Sequence, residues 1–341
     1  MGDQTTTHQI AAPYLLFLGD ARDDLAAKTA RGIYEWRPEL CIGQHRLPGC
    51  ATKLPIPEMT YHEAVEAGAK TVIIGTASAG GMIGMHWEDD LLEAIEAGLD
   101  LASGLHMKLS DDPRLRARAE HLGRRLHDVR HPVGTVPVGK GTKRSGKRLL
   151  TVGTDCSLGK MFTSLSLERE MHKRGLMADF RATGQTGIFI AGCGICVDAV
   201  VADFISGAAE LLSPDNEPEH WDIIEGQGSI FHPSFAGVSL GLLHGSQPDA
   251  IVVCHEPGRS HMRGLPGWKL PSIQDCVDQN LRAAALTNPN VRCVGISLNT
   301  KKMDKKAALD EIKRTEDDFG LPCVDPSVTG VGALVDKLQT L

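Results

Sequence analysis

The sequence predicts a soluble α/β protein made of two domains, each with a parallel sheet and flanking helices. At 341 residues the chain is longer than one ordinary hydrophobic core accommodates. Aromatic residues make up only 4% of a chain that is 42% hydrophobic, so Val, Ile, Leu and Ala must fill the cores. Such aliphatic cores are typical of parallel sheets covered on both faces. Short apolar runs also alternate with helix-period segments along the whole chain.

The first half predicts a small Rossmann-like domain over residues 1–138. An apolar run at Tyr14–Leu18 ends at a Gly-Asp pair, and a helix pattern follows to Tyr34. Further strands are predicted at Leu40–Ile42 and Thr71–Ile74, the latter running into a Gly-rich turn. Helices are predicted at Tyr61–Ala67, Asp90–Leu101 and Pro113–Leu126.

Ligands on such sheets bind where strands end, so the turns of this domain are candidate ligand sites. We expect Ser78 and Gly80, after the strand at Thr71–Ile74, to help close a cleft over the substrate. Neither the turn after Tyr14–Leu18 nor the turn after Thr71–Ile74 matches the full dinucleotide fingerprint, so a nicotinamide cofactor is not favoured.

A linker rich in glycine, proline and basic residues, His131–Lys147, precedes the second domain, which is predicted over residues 139–341. Its predicted strands are Arg148–Val152, Met177–Ala182, Trp221–Glu225, Ala250–Cys254, Cys293–Ser297 and Pro322–Asp325. Its predicted helices are Gly159–Arg174, Asp198–Leu212, Ser272–Leu286, Lys305–Thr315 and Val331–Thr340.

Charge and composition exclude several classes of function. The net charge is −7 and aromatics are sparse, which argues against nucleic acid as a partner. The basic run Lys140–Lys147 is interpreted as a solvated linker. No signal peptide and no apolar run of the length needed to cross a bilayer is apparent, so we expect a cytoplasmic protein without membrane contact. Nine cysteines without a spaced framework indicate free thiols.

The segment from Gly153 to Lys160, GTDCSLGK, predicts a phosphate-binding loop. A strand, a Gly-rich turn, a lysine and a helix start follow one another here. Backbone amides, the helix N-terminus and the lysine charge together favour an anion. The residues expected to bind a phosphate-bearing cofactor are Gly153, Thr154, Cys156, Ser157, Leu158, Gly159, Lys160 and Met161.

The loop departs from the common G-x-x-x-x-G-K-[ST] pattern in two ways. Its first glycine lies one position early, and Met161 replaces the hydroxyl that normally holds Mg²⁺, the next hydroxyl being Thr163. The absence of that hydroxyl weakens metal-assisted nucleotide hydrolysis more than it weakens phosphate binding. No tightly bound metal is expected, because the CxxC at Cys193–Cys196 lacks a second ligand pair and the histidines form no H-x-x-x-H face.

GTD-x-x-x-GK resembles the P-loop of dethiobiotin synthetase and related ATP-dependent ligases, in which a strand-end glutamate like Glu225 serves the metal. A narrower resemblance covers nearly the whole chain. The ordered motifs GTDCSLGK, RATGQTGI, DAVVADF, EGQGS, HEPGR and ISLNT resemble the D-glutamate N-acetyltransferase family (DgcN-like), P-loop proteins formerly of unknown function. The resemblance implies transfer of an acetyl group from acetyl-CoA to the amino group of D-glutamate.

Physical requirements of acyl transfer then assign candidate roles. Asp155 and Glu225 are the candidates for the base that deprotonates the amine, with Glu225 preferred and His232 and His255 as alternates. Backbone amides near residues 226–229 could stabilise the oxyanion. The candidates for substrate binding are Gln185, Thr186 and Arg259, the last as a carboxylate ligand.

Two rival functions remain open from the sequence. One is an ATP- and Mg²⁺-dependent ligase of the dethiobiotin synthetase type, which Met161 argues against. The other is a non-catalytic nucleotide-binding regulator, which the polar residues at several strand ends argue against. A homo-oligomer is expected on general grounds.

Overall fold

A computed structural model describes residues 7–24, 26–76 and 84–341, so Ser78 and Gly80 lie outside the described residues. The chain divides into two compact units. The first runs up to Thr135 and also includes Gly184–Ala199, while the second comprises Val136–Thr183 and Val200–Leu341. The predicted division at residue 138 treated each domain as one continuous stretch. We keep that division as a proposal, with 184–199 assigned to the first unit.

The first unit has a parallel sheet in the strand order β3-β2-β4-β5-β6. Its strands are β1 (His8–Gln9), β2 (Tyr14–Gly19), β3 (Cys41–Arg46), β4 (Thr71–Ile74), β5 (Asp100–Ser103), β6 (Leu126–Asp128) and β9 (Cys193–Gly194). Its helices are α1 (Lys28–Trp36), α2 (Tyr61–Glu66), α3 (Glu88–Glu96), α4 (Pro113–Leu122) and α6 (Gln185–Ala191). This arrangement confirms the predicted Rossmann-like domain.

Two predicted helices of this unit were too long. The helix predicted to reach Leu101 ends at Glu96, and the one predicted to reach Leu126 ends at Leu122. A glycine with positive φ follows each helix, Gly98 at 103° and Gly123 at 64°. Glycine adopts this left-handed conformation without the steric cost of a Cβ, and it ends helices for that reason.

The second unit has a parallel sheet in the order β15-β14-β11-β7-β10-β8, which confirms the predicted P-loop domain. Its strands are β7 (Lys147–Gly153), β8 (Ala178–Arg181), β10 (Trp221–Ile224), β11 (Ala250–His255), β12 (His261–Met262), β13 (Leu265–Lys269), β14 (Arg292–Leu298) and β15 (Cys323–Val324). Its helices are α5 (Lys160–Lys173), α7 (Ile205–Leu212), α8 (Ala236–Ser246), α9 (Ile273–Ala285), α10 (Lys305–Phe319) and α11 (Gly332–Leu338).

Helix α8 was not predicted because its sequence, AGVSLGLLHGS, is rich in glycine, which disfavours helix. The structure shows why one of these glycines, Gly245, is required. A Cβ at Gly245 would lie 2.3 Å from the carbonyl oxygen of Ser206, so only glycine permits the close packing of α8 on α7. Helix packing, not intrinsic propensity, therefore determines this element.

The aliphatic core lies between the sheet and its helices, as the composition predicts. In the second unit Leu149, Ile223, Val252 and Val294, one from each of four adjacent strands, are fully buried in one cluster. No helix within the described ranges is both long and apolar enough to span a lipid bilayer.

Candidate functional site

The candidate site lies at the carboxyl edge of the second unit's sheet. Strand β7 is hydrogen-bonded to β10 on one side and β11 on the other, so the segments that follow these three strands begin side by side. Residues 153–160 follow β7, residues 225–235 follow β10 and residues 256–263 follow β11. These segments carry the predicted phosphate-binding residues up to Lys160 and also Asp155, Glu225, His232 and Arg259, while His255 is the last residue of β11.

The loop from Gly153 to Lys160 has the backbone of an anion-binding cradle. Ser157 and Gly159 have positive φ angles of 53° and 104°, and helix α5 begins directly afterwards at Lys160. No side chain caps the N-terminus of α5. Successive amides in such a turn point toward one position, and the helix dipole adds positive potential there. The geometry therefore suits an anion such as phosphate.

Lys160 is buried and its ammonium donates to the backbone carbonyl of Asp155 at 2.9 Å. Burial lowers the pKa of Lys160. The backbone after β10 packs against this lysine, since a Cβ at Gly226 would lie 3.0 Å from Lys160 Cδ. The lysine is thus held in place before any ligand arrives.

The next hydroxyl in the chain after Met161, that of Thr163, is bonded to the sheet. Thr163 Oγ1 forms a 2.8 Å hydrogen bond with Ser297 Oγ of β14 and is buried. Cys254 Sγ donates to the same oxygen at 3.7 Å. Thr163 therefore links helix α5 to the sheet and does not replace the hydroxyl lost at Met161.

Arg259 clamps the P-loop. Its guanidinium donates to Asp155 Oδ2 at 2.8 Å and to the carbonyls of Cys156 and Ser157 at 2.9 and 3.2 Å. It also pairs with Glu256. Burial alone would raise the pKa of Glu256, but hydrogen bonds from Lys302 and Arg259 outweigh this and lower it. A substrate carboxylate that binds Arg259 would have to compete with these contacts. The predicted role of Arg259 as a carboxylate ligand stays a prediction.

Glu225 is buried at the end of β10 and turned toward β8. Its Oε2 accepts from the backbone amide of Thr183 at 3.0 Å, and its carbonyl accepts from Thr183 Oγ1 at 2.6 Å. Gln227 Nε2 donates to the same hydroxyl at 3.0 Å. The carboxylate is therefore held by a backbone amide at the sheet edge, the position where the sequence predicts the base.

The two alternate histidines differ in their surroundings. His255 Nδ1 forms a 2.9 Å hydrogen bond with Thr154 Oγ1, and burial lowers the pKa of His255. His232 is buried, stacks on Phe235 at a ring distance of 4.5 Å, and accepts from the Ser234 amide at Nδ1 over 3.2 Å. His255, at the end of β11, is therefore bonded to the P-loop, whereas His232 is bonded to an amide of its own loop.

The structure brings together a cluster that sequence analysis did not anticipate. A carboxylate oxygen of Asp155, the thiol sulfur of Cys156 and a ring nitrogen of His232 lie within 4.8 Å of one another. Burial raises the pKa of the Cys156 thiol, although Lys160 partly offsets this. These residue types can ligate zinc. Their spacing in the chain gives no motif, because they meet only when β7 and β10 pair.

Comparison with known proteins agrees with this architecture. The family described as a domain of unknown function (DUF1611_C), P-loop domain, matches residues 137–335, and the DUF1611_N Rossmann-like domain matches residues 45–132. The chain belongs to the DUF1611 family. A crystal structure of a DUF1611 family protein from Anabaena variabilis is similar to it with a TM-score of 0.83 and 31% identity, covering 97% of this chain and 100% of that one.

Two curated relatives of this DUF1611 chain carry the same name. A protein from Tritonibacter scottomollicae is 54% identical over 97% of this chain and 100% of its own length. A protein from Pseudoalteromonas sp is 52% identical over 97% of this chain and 99% of its own length. Both are named D-glutamate N-acetyltransferase. The family resemblance predicted from the ordered motifs is therefore confirmed.

Two predicted substrate residues lie in the first unit of the DUF1611 chain. The sequence places Gln185 and Thr186 beyond the end of the strand predicted at Met177–Ala182, and in the structure they form the start of helix α6. Arg130 donates to Gln185 Oε1 and pairs with Asp198 at 2.9 Å. The methyl group of Thr186 packs at Gly32 of α1. Their predicted role in substrate binding stays a prediction.

A second group of potential ligands lies around β8 and β10. Asp179, His220 and Asp222 offer ligand atoms that lie close to one another. Arg181 already bridges the two carboxylates, at 3.1 Å from Asp179 and 2.7 Å from Asp222. The guanidinium supplies the positive charge that a metal would bring, so this group is interpreted as a structural ion cluster.

Proposed function

We propose that this DUF1611 chain transfers an acetyl group to the amino group of D-glutamate. The observation that carries the proposal is the pair of relatives above 50% identity, aligned over nearly their full length, that bear this name. Nothing in the comparisons favours the ATP-dependent ligase. The P-loop domain and the Rossmann-like domain are both present, so the similarity extends to the whole architecture.

We propose acetyl-CoA as the acetyl donor, with its phosphates in the cradle from Gly153 to Met161. The converging amides, the N-terminus of α5 and the buried Lys160 support this assignment. Phosphates that are bound but never cleaved do not need the Mg²⁺-binding hydroxyl that Met161 replaces. The reaction needs no resident metal, and we expect none.

Glu225 is the proposed base, with Asp155 as the second candidate. The amine nitrogen attacks the acetyl carbon, the new C–N bond forms, and the C–S bond of the thioester breaks. The proton lost by the nitrogen passes to the carboxylate and then to the leaving thiolate. A carboxylate at a strand end, held by the Thr183 amide, supports the role of Glu225.

Binding of the substrate carboxylates is proposed for Arg259, Gln185 and Thr186. The amides after Gly226 are the proposed oxyanion donors. The enzyme is further proposed to act in the cytoplasm as a homo-oligomer, without nucleic acid or membrane partners.

The decisive experiment incubates the purified protein with acetyl-CoA and D-glutamate and measures free thiol release. Mass spectrometry should identify N-acetylglutamate as the product. L-glutamate and a reaction without acceptor serve as controls. Thiol release that does not depend on D-glutamate, or product formation only with ATP and Mg²⁺, would overturn the proposal.

A further inference from the structure

Two buried polar atoms beside the P-loop have no hydrogen-bond partner among the described residues. They are Asp155 Oδ1 and His232 Nε2. The Asp155 side chain is 0% exposed and His232 is 2% exposed. Leaving such atoms unsatisfied is destabilising, and a pair of them in one place indicates a ligand or a solvent molecule between them.

The two atoms have opposite hydrogen-bonding character. Asp155 Oδ2 is occupied by Arg259 and by the amide of Arg263, both at 2.8 Å, so Oδ1 remains as an acceptor. His232 accepts the Ser234 amide at Nδ1, so the ring proton is on Nε2. The site therefore offers one acceptor and one donor.

The two side chains lie close enough for a single oxygen atom to reach both. A carboxylate oxygen of Asp155 and a ring nitrogen of His232 lie within 4.8 Å of one another. One oxygen that makes two hydrogen bonds of about 2.8 Å at a tetrahedral angle joins atoms about 4.6 Å apart. A hydroxyl group can donate to Asp155 and accept from His232 at the same time.

The surrounding charges argue against a cation in this position. Arg259 already neutralises the Asp155 carboxylate, Lys160 donates to the Asp155 carbonyl, and Arg263 contacts Ser157. A metal ion or an ammonium group would meet three positive side chains. A metal on Nε2 would also require the ring proton on Nδ1, where the Ser234 amide already points.

We propose that Asp155 and His232 bind a hydroxyl group of the acetyl donor, next to the phosphate held by the P-loop. This inference rests on the proposed function, because acetyl-CoA is the donor proposed there. Coenzyme A carries two hydroxyls within a few bonds of a phosphate, one on the pantoyl group and one on the ribose. Asp155 then binds the donor, and Glu225 remains as the base.

Calorimetry on the intact protein tests this with three probes. They are coenzyme A, coenzyme A with its pantoyl hydroxyl replaced by hydrogen, and 2′-deoxy-coenzyme A. We expect the wild-type protein to lose at least about 10-fold in affinity when the contacted hydroxyl is removed, because a hydrogen bond to a carboxylate and a second one from His232 are lost together. A loss with 2′-deoxy-coenzyme A instead would identify the ribose hydroxyl as the source and support the same site.

His232→Phe keeps the ring that stacks on Phe235 and removes the donor. The variant should bind coenzyme A about 3- to 10-fold more weakly and should distinguish the probes by a correspondingly smaller factor, because only the bond to Asp155 remains. His62→Phe, at an exposed position of α2, is the matched control. Asp155→Asn should likewise distinguish the probes by a smaller factor. Asp304→Asn is its control, because Asp304 caps helix α10 and asparagine is also a good helix cap.

Three outcomes would overturn the inference. One is unchanged discrimination in a folded His232→Phe protein. Another is weaker binding of D-glutamate with unchanged binding of coenzyme A. The third is one zinc ion per purified chain that is lost in the variant. Hydroxyl discrimination without acetylation of D-glutamate would instead leave this site standing and refute the proposed function.

Discussion

At the residue scale, the buried charges around the P-loop are compensated by specific partners. Asp155 is fully buried yet paired with Arg259, and the Lys160 ammonium is bound to a carbonyl. An unpaired charge at such depth would be strongly destabilising. The loop is therefore held in its anion-binding form by one contact within its motif and by a second from Arg259, which the motif does not include.

Glu225→Gln should lower kcat by about 10²- to 10⁴-fold, the usual effect of losing a general base. The glutamine oxygen can still accept the Thr183 amide, so the fold should remain intact. Steady-state kinetics and circular dichroism check both points. Glu219→Gln, on an exposed ion pair with Lys147, is the matched control and should retain full activity. A Glu225→Gln protein with near-normal kcat would leave Asp155 as the next candidate base.

Lys160→Ala should raise KM for acetyl-CoA more than it lowers kcat. A contact to phosphate remote from the reacting carbon contributes equally in the ground and transition states. Kinetics with each substrate varied in turn provide the measurement. A rise in KM for D-glutamate instead would place the substrate carboxylates in the cradle.

His45 and Asp90 should make the stability of the first unit depend on pH. Burial opposes the charge on His45, but its hydrogen bonds to Asp90 and to the Met59 carbonyl, together with the nearby negative charges, outweigh burial and raise the pKa of His45. Because the pKa of His45 is higher in the folded state than its unfolded value of about 6.5, protonated His45 contributes its full stabilisation below about pH 6.5. This contribution is lost as pH rises through the folded-state pKa. The destabilisation caused by His45→Gln should therefore be larger at low pH than at high pH.

Urea unfolding of wild-type and His45→Gln proteins between about pH 6 and pH 9 measures this difference. His62→Gln, an exposed histidine of α2, controls for the loss of an ordinary imidazole. A difference in the free energy of unfolding that stays constant or grows with pH contradicts the assigned role of the His45–Asp90 pair.

At the scale of elements, the site depends on how closely β7 and the segment after β10 approach. A Cβ at Gly226 would lie 1.6 Å from the carbonyl oxygen of Thr151. The amide of Gly226 also donates to Thr151 Oγ1 at 3.0 Å. The glycine after Glu225 is therefore required by a backbone contact that positions the candidate base beside the P-loop strand.

Gly226→Ala should destabilise the protein by at least about 3 kcal/mol, because the clash involves backbone that cannot rotate away. Gly237→Ala is the matched control, since its Cβ would meet no atom within 4 Å and it lies in helix α8. That substitution should stabilise by about 0.5–1 kcal/mol through helix propensity. Denaturant unfolding of both variants measures the change in the free energy of unfolding that each substitution causes. Similar changes for Gly226→Ala and Gly237→Ala would contradict the packing argument.

At the scale of the whole molecule, catalysis should proceed without added Mg²⁺ or ATP. Met161 replaces the metal-binding hydroxyl, and Thr163 is bound to Ser297 in the sheet. The test is acetyl transfer in excess EDTA after dialysis. Undiminished thiol release is expected, and strict dependence on Mg²⁺ and ATP would favour the ligase.

The sequence alone predicted the α/β class, the P-loop and the family, because each depends on residues close together in the chain. Periodic apolar runs define the strands, and GTDCSLGK combines turn, lysine and helix start in one segment. The ordered motifs then identified the family. Helices α6 and α8 were missed, since short or glycine-rich segments form helices only when neighbours pack against them.

Only the tertiary structure decided which side chains meet. It placed Arg259 on the P-loop, turned Glu225 toward Thr183, and joined Asp155, Cys156 and His232 into one cluster. It also assigned residues 184–199 to the first unit. The physical reason is that strand order in a parallel sheet is set by long crossover connections, so residues distant in sequence become neighbours without any local pattern that records it.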